Sequence, residues 1–92
     1  MLGWVRAVGH SMVPVVKAGA YVFCLPCWYP AVGSLVIVEH VHYGRMIKRL
    51  VAYDERNNVR LLGEHPCSLS SAQMGWVPRS AIRGRVSWVV NP

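Results

Sequence analysis

Glycine and proline break this chain at intervals of roughly eight to twelve residues, and the pieces between them are rich in Val, Ile, Leu, Tyr and Trp. Proline lacks the amide hydrogen that a helix interior requires, and glycine loses more backbone freedom there than any other residue. Long helices are therefore disfavoured, and short β-strands of a sandwich or barrel remain. The pattern predicts strands over residues 4–8, 20–24, 34–40, 45–53, 59–62 and 85–90. His42-Tyr43-Gly44 suits a hairpin, and Asp54-Glu55-Arg56-Asn57-Asn58 has the side chains that favour a second turn. Pro78-Arg79-Ser80-Ala81-Ile82 suits one short helical turn, because proline at its first position removes no needed donor. The expected class is all-β and mainly antiparallel.

The same breakers decide the fate of the longest charge-free stretch. Between Lys17 and Glu39 lie 21 residues without a charge, long enough to span a bilayer as a helix. Gly19, Pro26, Pro30 and Gly33 interrupt it, so two strands and a loop are expected in place of a membrane span. Met1-Leu2-Gly3-Trp4-Val5-Arg6 has no basic start followed by an apolar stretch, so no secretory signal is expected and the compartment predicted is the cytoplasm.

With 92 residues the chain makes a single domain, 1–92, with a modest core. Charged residues are scarce at 15%, which argues for a packed domain and against disorder. The net charge of +6 sets ten Lys and Arg against Glu39, Asp54, Glu55 and Glu64, a balance that favours anionic partners. The arginines are scattered, without the dense basic and aromatic stripe of single-strand binders, so no stable nucleic-acid partner is expected.

Cys24, Cys27 and Cys67 make an odd number, which fits reduced thiols better than a disulfide framework. Cys24 and Cys27 have metal-pair spacing, and Cys67 with His65 could complete a zinc set. With one such pair in the chain, small buried or half-buried thiols are the simpler reading. His40 and His42 beside Glu39 invite a second metal reading, but lack a third firm ligand. The expectation is a site with no metal and no cofactor.

Strand alternation gives Lys48 an environment. Met46, Lys48, Leu50 and Ala52 share one face, while Arg45, Ile47, Arg49 and Val51 share the other. The first face is apolar except for the lysine, so it is the predicted core side. An ordinary lysine is only about 0.1% neutral at pH 7.4, but loss of hydration disfavours the ammonium and lowers its pKa. A neutral amine of this kind can take the proton of a serine without a third partner. Ser11, in Gly9-His10-Ser11-Met12-Val13-Pro14, is the candidate nucleophile, although a serine between glycine and proline also suits a simple turn. A Ser/His/Asp triad is disfavoured: Asp54 is the only aspartate and sits in a polar turn, while His10 and Ser11 are consecutive and on a strand would face opposite ways.

Gly9-His10-Ser11-Met12-Val13-Pro14 and Arg45-Met46-Ile47-Lys48-Arg49-Leu50 resemble the nucleophile and lysine boxes of the signal-peptidase-like Ser/Lys proteases, which include LexA-type self-cleaving repressors. Gly33-Ser34-Leu35-Val36-Ile37-Val38 and Gly63-Glu64-His65-Pro66 through Ser68 follow the motif order of that family over nearly the whole chain. The segment from Gln73 through Trp76-Val77-Pro78 to Val86 resembles the compact branch of nickel-type superoxide dismutase maturation proteases. The resemblance implies a signal-peptidase/LexA-like catalytic β fold and peptide hydrolysis through an acyl-enzyme. It implies Ser11 as nucleophile, Lys48 as general base and Ser68 as the hydroxyl that orients the lysine. The implied partner is a precursor protein's leader peptide, that of a nickel superoxide dismutase.

The departures concern the surroundings of the site. Gly19-Ala20 and Gly33-Ser34 stand where the family usually has Gly-Asp, and Gly63-Glu64-His65-Pro66 replaces Gly-Asp-Asn-Pro. Ser70-Ser71-Ala72 replaces an Asp-Ser-Arg triplet and so removes a supporting ion pair, while Gly9 lacks the hydroxyl that some signal peptidases direct at the oxyanion. The alternative is a degenerate, non-enzymatic binding domain of the same fold, with nucleic acid as one possible ligand.

Overall fold

The computed structural model describes residues 2–6, 16–17, 19–63 and 75–92. Among these residues seven strands form one sheet: β1 Gly3–Arg6, β2 Tyr21–Leu25, β3 Leu35–His40, β4 Gly44–Tyr53, β5 Asn58–Leu62, β6 Val77–Pro78 and β7 Ile82–Val90. Their spatial order is β1-β2-β7-β3-β4-β5-β6, with every neighbouring pair antiparallel. A 3-10 turn, Arg79–Ala81, joins β6 to β7 where the proline-led helical turn was expected. The all-β, mainly antiparallel class is thus observed.

The uncharged run folds as predicted over its described residues 19–38, entering β2, crossing a proline-containing loop and leaving in β3. No helix among the described residues is long and apolar enough to cross a membrane. Turn chemistry sets the two hairpins. Residues 41–43 form the first turn, and Gly44 follows at φ +75°, a left-handed conformation that other residues adopt only at a cost. His40 reinforces it, because Nδ1 accepts hydrogen bonds from the backbone N–H groups of His42 and Tyr43. In the second turn, Asp54 accepts from the N–H groups of Arg56 and Asn58 and from the Asn58 amide. Asn57 takes φ 61° there, as asparagine tolerates better than most residues.

Two apolar clusters hold the sheet. Val16, Ala20, Val22, Cys24 and Ile37 form the first, joined by Leu35, Ile47, Val86 and Val89. Val36, Val38, Leu50, Val59, Leu61 and Val77 form the second, joined by Met46, Tyr53, Ala81 and Ile82. Successive β3 side chains alternate between them, so the middle of the sheet is buried on both faces. Each completely buried aliphatic side chain contributes about 1.5–3 kcal/mol relative to exposure.

Parity along β4 holds only as far as Leu50. The β4–β5 register shifts between Leu50 and Ala52, and an extra residue there reverses the faces that follow. Tyr53, not the expected Ala52, therefore packs with Leu50 in the second cluster. Its hydroxyl donates to the Pro30 carbonyl at 2.5 Å, and its ring stacks on Tyr29 at 4.6 Å. Two elements differ from the sequence reading: β6 is a two-residue strand without enough length to leave a pattern, and β7 begins at Ile82, before the predicted residue 85.

Candidate active site

Lys48 lies in the middle of β4, opposite Val36 on β3, with Met46 and Leu50 on its own face. It is 1% exposed, the only charged side chain among the buried described residues. The cause is local and readable: alternation directs it to the side of Val36, Val38 and Leu50, where the second cluster excludes water. Desolvation by that burial pushes the amine below its ordinary pKa of 10.5. The group is not without an interaction partner. A buried amine with a depressed pKa has a larger neutral fraction at physiological pH, and so can accept a proton.

Ser11 and Ser68, the two hydroxyls assigned to nucleophile and lysine-orienting roles, lie outside the described residues, as do His10, His65 and Cys67. The structure accordingly describes one member of the predicted constellation, with its electrostatic setting.

The competing site residues have other occupations. Asp54 is engaged in its own turn; desolvation raises its carboxyl, but hydrogen bonds from Asn58 and Arg56 outweigh that and lower it. Glu39 pairs with Arg45 at 2.5 Å and Arg83 at 3.3 Å, and the Arg45 hydrogen bond is the main cause of its lowered pKa. His40 and His42 have ring centroids 5.8 Å apart at the hairpin tip, with one nitrogen of His40 already accepting backbone donors. Cys24 is buried in the first cluster, where burial raises its thiol pKa, whereas Cys27 is partly exposed. Among the described residues no group of three or more His, Cys, Asp or Glu side chains converges as a metal site.

One feature of this region had no sequence signal. Cys27, Trp28, Arg79, Ser80, Ile82 and Arg83 help line a groove of about 480 Å³. Its two segments lie some fifty positions apart, so only the pairing of β7 with β2 and β3 brings them together. No family model matches the chain, and no curated protein matches it.

Proposed function

We propose that the protein is a serine endopeptidase of the signal-peptidase-like class, in which Ser11 and Lys48 form a catalytic dyad that removes an N-terminal leader peptide. The observation that carries the reading is the buried, desolvated amine of Lys48 on an otherwise apolar strand face, at the position the lysine-box resemblance assigns to the base. Lysine is rarely buried this completely without a role or a partner, and desolvation is what turns an ammonium into a base.

In this mechanism neutral Lys48 Nζ takes the Ser11 hydroxyl proton as Oγ attacks the scissile carbonyl carbon. The backbone N–H of Ser11 donates to the resulting oxyanion. The Lys48 ammonium then returns the proton to the departing amine, leaving an acyl-enzyme. Water, deprotonated by the same amine, attacks the ester and releases the carboxylate and Ser11. Ser68 holds the amine in line through its hydroxyl. No metal and no cofactor take part.

The resemblance of the 73–86 segment supports a specific substrate, the leader of a nickel superoxide dismutase precursor, cleaved in the cytoplasm. Incubation of the purified protein with that precursor, followed by mass spectrometry of the new N-terminus, tests the assignment. An intact precursor together with a cut signal peptide from a membrane protein would favour a general signal peptidase. Failure to cut any peptide, with salt-sensitive binding to DNA or RNA, would favour the non-enzymatic reading.

A further inference from the structure

The groove of about 480 Å³ beside the 3-10 turn has the volume of a ligand site, and among the described residues that line it two are arginines and none is acidic. Its chemistry is mixed. Trp28 and Ile82 supply apolar surface, Ser80 a hydroxyl, and Arg79 and Arg83 positive charge. Both arginines are held in place. The Arg79 guanidinium carbon lies 4.5 Å from the centre of the Tyr29 ring, and Tyr29 in turn stacks on Tyr53, so a cation–π contact restrains the arginine. Arg83 is tied through Nε to Glu39 at 3.3 Å. Planar cations fixed in this way can bind an oxyanion with less ordering cost than mobile lysines, and they match a carboxylate by paired N–H donors.

The position of the groove selects among anions. Ile82 both lines it and packs on the second cluster, the one beneath the Lys48 face. Ile82 pairs with Val38, which pairs with Met46, two residues along β4 from Lys48. Two strand spacings across and two residues along place the Ile82 and Lys48 backbones about 12 Å apart. An extended peptide covers that distance in about three to four residues.

We infer that the groove between Trp28 and Arg79 is a specificity site for an acidic residue of the polypeptide substrate, about three to four extended residues from the Lys48 backbone. This rests on the proposed peptidase function, and it adds a substrate class: an extended segment with Asp or Glu at a set distance from the cleavage point, beside an apolar residue that meets Trp28. The net charge of +6 is consistent with such a partner at longer range.

The test uses the full chain and twelve-residue alanine and serine peptides bearing a single Glu at successive positions, each paired with its Gln counterpart. With wild-type protein, the Glu peptide that places the acid in the groove is expected to be cleaved with kcat/KM roughly tenfold above its Gln partner, the ratio expected of one charge-assisted contact. Arg79→Gln and Arg83→Gln should remove that preference, and Arg79→Lys should retain part of it. Binding is read separately on the Ser11→Ala protein, by NMR shifts of the Trp28 indole N–H and the Arg79 and Arg83 Nε–H groups. Shifts with Glu peptides and none with Gln peptides support the site without depending on cleavage or on the stability of an arginine variant. Equal cleavage of Glu and Gln peptides overturns the inference and leaves the peptidase reading standing. Absence of cleavage of every peptide and of the dismutase precursor overturns the peptidase reading. Shifts caused by inorganic phosphate but by no Glu peptide overturn the inference in favour of a small-anion site.

Discussion

Replacing Lys48 with methionine separates the two consequences of burying an amine. The side chain is 1% exposed and its pKa is depressed by desolvation, so folding moves the group to where its charged form is disfavoured. The unfolded chain therefore binds more protons than the folded one between the depressed pKa and 10.5, and stability rises with pH across that window. Below the folded pKa the whole penalty is present, at 1.36 kcal/mol for every unit of depression. Methionine has nearly the same length and no charge to desolvate, but it forfeits the interactions of the amine, worth about 1–3 kcal/mol. Since the effective desolvation penalty of a buried ion is several kcal/mol, the variant should be about 1–2 kcal/mol more stable than wild type near pH 6. With a urea m-value of about 1 kcal/mol/M for a small domain, the midpoint should rise by about 1–2 M. The advantage should shrink on approach to pH 10.5 and there vanish or reverse. Urea denaturation at pH 6, 8 and 10 measures it, and peptide cleavage by the variant should be absent. A Lys48→Met protein destabilised by the same margin at all three pH values would refute the claim that desolvation governs this residue.

Ser11→Ala and Lys48→Ala should each abolish cleavage in a folded protein, and the double variant should lose no more, as groups acting as one unit do; wild-type turnover by Ser11→Ala would end the dyad proposal. Lys48→Arg should be equally inactive, because a guanidinium stays protonated near neutral pH. Cleavage by the wild-type protein should increase with pH as the depressed Lys48 amine deprotonates and should be indifferent to EDTA, so inactivation by EDTA with rescue by zinc would restore the cysteine and histidine metal reading. Iodoacetamide should modify Cys27 well before Cys24, which is buried with a raised thiol pKa; peptide mass mapping gives the order. Tyr53→Phe should cost about 1 kcal/mol, since it removes the hydrogen bond to Pro30 and keeps the stack on Tyr29, and a thermal melt unchanged from wild type would count against that bond.

Local information was enough for most of the scaffold. The turn around Gly44, the Asp54 turn and the proline-led 3-10 turn depend on residues within a few positions of one another, so their chemistry is visible in order along the chain. The placement of Lys48 among apolar neighbours was equally legible, because a two-residue period directs Met46, Lys48 and Leu50 to one side as long as the ladder is regular. That period fails at the irregularity after Leu50, which depends on how β5 pairs, and so Tyr53 took the core position expected of Ala52. The groove of Arg79 and Arg83 belongs to the same category. Its walls come from the loop after β2 and from the 3-10 turn with the start of β7, and nothing in either segment alone announces the other. Periodicity and turn chemistry act over a few residues and are written in the sequence, whereas the partner of each strand is chosen by burial summed over the whole sheet; only the tertiary structure could decide that two arginines and a tryptophan would share one depression near the buried lysine.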